Sequence, residues 1–229
     1  SGLLTGEQLV DLVNDSGASA LFATAEFRAK LRPCVDRLKL VAAQRRVAVL
    51  CGEPGWIDHA AFVAEAACSR PPVSHRPDDE FNIIYSSGTT GLPKGIVQTH
   101  RARVHWAVSN ALEMGIGSRS RGLTTTSLYS NGTWLVMLPV LFAGGTLVVM
   151  SSFDTNGFLQ TVARERITHT FMVPTQLVML VDADHVRRHD TSSLQVVLSA
   201  GSPLRQDTKR QVIEHFGEKL IELYGFSEG

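Results

Sequence analysis

Tyr85-Ser86-Ser87-Gly88-Thr89-Thr90-Gly91-Leu92-Pro93-Lys94-Gly95 follows directly on the apolar run 81–84 and is itself followed by the β-branched run Ile96-Val97-Gln98-Thr99. The segment holds four Ser/Thr hydroxyls, three glycines and one lysine. Glycines let backbone N–H groups approach an oxyanion closely, hydroxyls add donors, and lysine brings a mobile positive charge, so the segment suits a polyphosphate and hence a nucleotide. The flanking runs make the segment a loop between two strands. A Walker A loop must open a helix and place Gly before its lysine and Ser or Thr after it, whereas Lys94 lies between Pro93 and Gly95 and leads into a strand.

Near the N-terminus, Thr5 precedes Gln8 at capping-box spacing and Leu9, Val10, Leu12 and Val13 share one helical face, which predicts a helix ending at Gly17. A strand at 20–23, apolar runs at 38–41 and 47–50, and an alanine-rich helix over 58–67 come next. Three prolines then make 69–77 an exposed connector. Beyond the loop the pattern alternates: helices at 101–114, 132–143, 154–165 and 174–181, strands at 123–126, 146–150, 170–173, 194–199 and 220–223. Between the last two strands, Ser202 is read as an N-cap with Pro203 at the first helical position of a helix reaching Phe216. Arg101 and Arg103, beside His100, read as the polar start of a helix. Such alternation implies an α/β fold of mostly parallel sheets covered by helices on both faces, with ligands at the loops beyond the strands' carboxyl ends.

Twenty-two basic and 22 acidic residues cancel, and 44% of the chain is hydrophobic, which leaves no electrostatic footprint for nucleic acid or an anionic membrane and excludes disorder. Cys34, Cys51 and Cys68 form no C-x-x-C pair and are odd in number, so they read as reduced thiols of a cytoplasmic protein. The uncharged region 123–153 is broken by Asn131, Gly132, Pro139 and Gly144-Gly145 into a helix and a strand, a buried core rather than a membrane span. Nothing in Ser1-Gly2-Leu3-Leu4 has the pattern of a signal peptide.

As it stands, 85–95 resembles the phosphate-binding signature of the adenylate-forming superfamily, which includes acyl-CoA synthetases, luciferases and peptide-synthetase adenylation domains. Tyr224-Gly225-Phe226-Ser227-Glu228 is similar to that family's Tyr-Gly-x-Thr-Glu, with Ser227 in the threonine's place, and 198–204 is similar to its Ser-Gly-Gly-Ala-Pro-Leu segment. Read without the loop, Gly225-Phe226-Ser227-Glu228-Gly229 also matches the G-x-S-x-G elbow of hydrolases, which requires an acid and a histidine further along the chain. A serine hydrolase using Ser227 and a nucleotide-binding module without catalysis are the competing readings.

The resemblance implies ATP and Mg²⁺, a small-molecule carboxylic acid, and the thiol of coenzyme A or a carrier protein, converted through an acyl-adenylate to a thioester. It assigns Ser86, Ser87, Gly88, Thr89, Thr90, Gly91 and Lys94 to the β- and γ-phosphates. Tyr224 and Gly225 fall beside adenine, Ala200, Gly201 and Ser202 beside the ring or acyl chain, Ser227 on the α-phosphate and Glu228 on Mg²⁺, with Lys94, Ser227 and Glu228 carrying the catalysis. Tyr129, Ser130, Gly201 and Phe226 would border the acyl group, although Ser130 stands where many acyl-CoA synthetases have histidine, which puts that contact in question. It further implies that 1–229 is a partial N-terminal domain with a connector at about 68–79. A C-terminal domain bearing the adenylation lysine would be missing, the piece alone would be nearly inactive, and a sheet edge near Gly229 would favour self-association. Which acid is used is not legible.

Overall fold

The computed structural model describes residues 4–86, 93–183 and 188–226. Its chain forms two compact units, one of Ser1–His75 with Tyr85–Gly95 and one of Arg76–Ile84 with Ile96–Gly229.

In the first unit, helix α1 (Gly6–Asp15) begins at the expected capping box: the Thr5 hydroxyl accepts from Gln8 N at 3.3 Å and Gln8 Oε1 accepts from Thr5 N at 2.9 Å. Strand β1 (Leu21–Ala23) leads into α2 (Ala25–Leu31), which the sequence did not announce because only Arg28 and Leu31 of it are buried, too thin a stripe for a helical period. β2 (Arg46–Ala48) and β3 (Ile57–Asp58) complete a parallel sheet of order β1-β2-β3, and α3 (His59–Ala64) is capped by Asp58. Residues 67–76 are exposed and carry neither helix nor strand. Arg28, 1% exposed, holds this unit together by donating to the carbonyls of Ala23 at 2.7 Å and Cys51 at 2.8 Å and to Glu53 at 3.0 Å. Glu53 also takes Arg32 at 2.7 Å, and Arg32, then Arg28, keep its carboxyl below the usual carboxylate range.

Strands β4 (Glu80–Ser86) and β5 (Lys94–Thr99) pair with each other and carry the chain between the units. In the second unit, α4 (His100–Glu113) precedes a five-stranded parallel sheet. It is built from β6 (Arg121–Thr124), α5 (Asn131–Phe142), β7 (Thr146–Val149), α6 (Thr155–Glu165), β8 (His169–Met172), α7 (Pro174–Val181), β9 (Val196–Ser199), α8 (Gln206–Phe216) and β10 (Leu220–Glu222). Spatial order is β10-β9-β8-β6-β7, with every pair parallel. On one face Leu135, Val136 and Val140 of α5 pack with Phe171, Val196 and Leu198; on the other, Phe158, Leu159, Leu177, Leu180, Val212 and Phe216 of α6, α7 and α8 pack with Leu123 and Val197. This is the expected α/β architecture with both faces covered.

Two expectations need correction. α8 starts at Gln206 with Arg205 as N-cap, so neither Ser202 nor Pro203 opens it. Leu204 N is held by Glu222 Oε1 at 3.0 Å and the Leu204 side chain is buried, which keeps 203–204 out of the helix, and Arg205 is extended at its N-cap. Arg103 is no polar helix start: it is 6% exposed, its guanidinium 4.8 Å from the rings of both Trp106 and Trp134, with Nε donating to Asn82 Oδ1 at 2.9 Å.

In β8, His169 is wholly buried; Nε2 donates to Met114 O at 2.9 Å and Nδ1 accepts the Thr168 hydroxyl at 2.7 Å, the network that a neutral ring satisfies. Burial pushes its pKa down, against the raising effect of the Met114 carbonyl. The unfolded imidazole titrates near 6.5 and takes up a proton before the folded one, so this contribution to stability is complete above about pH 6.5 and declines as pH falls below it. His169→Gln should therefore unfold more easily at pH 7.5 yet lose less stability between pH 7.5 and 5.5 than the wild type, as read by urea denaturation; equal losses would refute the assignment. Arg28→Met, which leaves the carbonyls of Ala23, Val49 and Cys51 without their donor and Glu53 with Arg32 alone, should destabilise the first unit by about 3 kcal/mol in the same measurement.

Candidate functional site

The segment 86–94 connects the paired strands, with β4 ending at Ser86 and β5 beginning at Lys94. Ser87, Gly88, Thr89, Thr90 and Gly91 lie outside the described residues, as do Ser227 and Glu228. Within the first unit, half-buried Ser86 and exposed Lys94 mark the two ends. The strand end is anchored through Tyr85, whose hydroxyl donates to Asp15 Oδ2 at 2.5 Å and lies 3.3 Å from Leu12 O, at the C-terminal turn of α1. Burial, then the Asp15 carboxylate, pushes the phenol up to about 12, so it remains a protonated donor at neutral pH. The sequence offered no sign of this anchor, because Asp15 is 70 residues away.

The remaining candidates sit in the second unit, on loops leaving the carboxyl ends of its parallel strands. Tyr129 and Ser130, on the β6–α5 connection, line an open cleft of about 570 Å³ whose other wall is the β7–α6 connection through Met150 and Phe153. None of the lining residues is charged; Thr125, Thr126, Ser127, Ser130, Ser151 and Ser152 supply hydroxyls. Three bonds shape the β6–α5 loop: Thr133 Oγ1 to Ser127 O at 2.7 Å, Thr126 Oγ1 with Thr133 Oγ1 at 2.7 Å, and Trp134 Nε1 to Leu128 O at 2.7 Å. Arg103, stacked on the Trp134 ring, backs the last of these. Gly132 is required by close approach, since a Cβ there would lie 2.5 Å from the Phe171 ring.

Strand order reverses between β6 and β8, the place where an α/β sheet ordinarily opens a crevice. Here Gln176 closes it: Nε2 donates to Thr125 O at 2.8 Å, while Oε1 accepts from Thr125 Oγ1 at 3.0 Å and Val173 N at 3.2 Å. The cleft opens one strand over, between the exits of β6 and β7. Sequence reasoning passed over Gln176 because its partner Thr125 is 51 residues away.

Ala200, Gly201 and Ser202 leave β9 in a turn that needs positive φ, +97° at Gly201. Tyr224, Gly225 and Phe226 leave β10 beside it, and Leu223 N still bonds Ser199 O at 2.8 Å. The Tyr224 ring is 87% exposed and meets Phe226 edge-on with centroids 5.3 Å apart, so an open aromatic face stands ready for a flat ring. β9 and β10 thus bring together two of the nominated stretches, with Tyr129 and Ser130 on the β6 loop of the same sheet edge; Ser86 and Lys94 belong to the first unit. Among the described residues no three His, Cys, Asp or Glu side chains group to hold a metal, and no helix is long and apolar enough to cross a membrane.

A family model described as AMP-binding enzyme matches residues 2–229. A feruloyl-CoA synthase from an Amycolatopsis species is 32% identical over 217 residues, 93% of this chain and 40% of that protein. An indoleacetate–CoA ligase from Aromatoleum aromaticum is 30% identical over 230 residues, 98% of this chain and 44% of that protein. Among solved structures, the luciferase-like enzyme of the mealworm Zophobas morio superposes with a TM-score of 0.85 at 22% identity, covering 99% of this chain and 53% of that one. The chain spans about two fifths of the length of these curated relatives. With the family model matching nearly its whole length, a hydroxyl- and glycine-rich segment between β4 and β5, and the nominated turns at the exits of β9 and β10, the chain belongs to the AMP-binding, adenylate-forming enzyme family.

Proposed function

We propose that the protein carrying this chain is an AMP-forming acid–thiol ligase, in which 1–229 supplies most of the nucleotide and acid site and the stretch about 68–79 is a connector. The observation that carries this reading is the segment 86–94, four hydroxyls, two glycines and a lysine strung between two paired strands in a member of the AMP-binding family. In the first half-reaction a carboxylate oxygen attacks the α-phosphorus of ATP, the bond to the β-phosphate breaks, and pyrophosphate leaves. In the second, a thiol sulfur attacks the acyl carbon and AMP leaves with the former carboxylate oxygen. The thiol is that of coenzyme A, as the names of the relatives suggest, or of a carrier protein.

The protein's contribution is charge stabilisation and positioning. Lys94 and the hydroxyls of 86–90 hold the departing phosphates, Tyr224 stacks on adenine, and the Gly201 turn lets backbone approach ring or acyl chain. Magnesium bound with ATP supplies neutralising charge to pyrophosphate; Glu228 is the residue that would hold it. The uncharged, hydroxyl-lined cleft beside Tyr129 and Ser130 suits an acid whose tail is neutral, aromatic or aliphatic. The free thiols Cys34, Cys51 and Cys68 suit a reducing compartment.

ATP–pyrophosphate exchange with the full-length protein across a panel of aryl and alkyl acids tests the reading. Lys94→Ala should slow exchange by roughly tenfold to a thousandfold, the effect of removing one positioned charge, and an unchanged rate would sink the phosphate assignment. Glu228→Gln should raise the Mg²⁺ concentration needed for half-maximal exchange; a shifted pH profile with unaltered Mg²⁺ dependence would make it an acid or base instead.

A further inference from the structure

Glu222 closes β10, two residues before Tyr224, and its side chain faces back toward the exit of β9. Oε1 accepts from Leu204 N at 3.0 Å, and Oε2 lies 2.5 Å from Lys209 Nζ in the first turns of α8. Lys209, then the Leu204 amide, hold its carboxyl below the usual carboxylate range, so it is ionised at neutral pH. Strand pairing between β9 and β10 ends at Glu222 opposite Ser199, with the Leu223 N to Ser199 O bond as its last rung. Beyond that rung, among the described residues, no further backbone bond joins 200–204 to 224–226, and the Glu222 carboxylate ties the end of β10, two residues before Tyr224, to the inner end of the turn at Leu204. Leu204 is buried at 5% exposure while Gly201, Ser202 and Pro203 are exposed, so the tie pins the inner end of an otherwise open turn.

We infer that Glu222 is a positioning residue for the nucleotide: by holding Leu204 N it fixes the separation between the 200–203 turn and the Tyr224 ring. This rests on the reading above that Tyr224 stacks on adenine, with the 200–203 turn taken on the ring side of the two sides, ring or acyl chain, open to it. A carboxylate in this role acts through geometry, so the bond to Leu204 N matters to affinity and the ion pair with Lys209, 31% exposed, matters chiefly to the helix end. Glu222→Ala removes both; Glu222→Gln keeps an acceptor for Leu204 N and gives up the ion pair; Lys209→Met removes the ion pair alone.

The test measures ATP affinity, KM for the acid and melting temperature for these variants in the full-length protein, with Tyr224→Ala beside them. Glu222→Ala should weaken ATP roughly fivefold to twentyfold while KM for the acid moves less than about twofold; Glu222→Gln and Lys209→Met should stay within about twofold of wild type for ATP. Should Glu222→Ala not fold, Glu222→Asp, too short to reach Leu204 N but still charged, should weaken ATP in the same way. Unchanged ATP affinity in Glu222→Ala, or an ATP loss that tracks melting temperature across all three variants, would overturn the inference. If Tyr224→Ala weakens ATP and Glu222→Ala does not, the positioning role alone fails; if neither does, the reading that these stretches flank the nucleotide fails with it.

Discussion

Parallel pairing is the constraint from which the second unit follows. A parallel strand cannot be joined to its neighbour by a hairpin, so each of β6, β7, β8 and β9 must be followed by a crossover that returns to the other end of the sheet. Every outgoing loop therefore opens on one edge, and that edge receives Tyr129 and Ser130, the Gly201 turn and the Tyr224 segment whatever their distance in sequence. The same constraint buries both faces: α5 covers one and α6, α7 and α8 the other.

Backbone leaving a buried strand has to satisfy its polar groups, and here side chains do so where the ladder stops. Gln176 serves the ends of β6 and β8, Thr133 and Trp134 serve the loop after β6, and Glu222 serves the turn after β9. A buried donor without a partner costs about 1–3 kcal/mol, so the buried Gln176 bond to Thr125 O is the one that most strongly selects a single loop conformation. Arg103 shows the converse: its Nη2 and Asn82 Nδ2 are buried with no partner among the described residues, and two indole faces offset part of that cost. In the first unit Arg28 does for three carbonyls what no short strand there could do for itself.

What local chemistry decides was legible from the residues. The Thr5 capping box, the strand character of 81–84 and 95–99, the βα alternation after residue 100 and the glycine-, hydroxyl- and lysine-rich segment all depend on neighbours within a few positions, and their pattern identified an adenylate-forming chain. The rest depends on contacts between residues far apart in the chain. α2 has too few buried positions to carry a period; α8 begins at Gln206 rather than at Pro203 because Glu222, 18 residues on, takes the Leu204 amide; and Arg103 lies between Trp106 and Trp134 because α4 packs on α5. The cleft lies between the exits of β6 and β7, and not at the strand-order reversal, because Gln176 fills the latter from 51 residues away. Propensities and caps act over one helical turn, whereas these outcomes turn on single hydrogen bonds between residues that meet only once the sheet has formed.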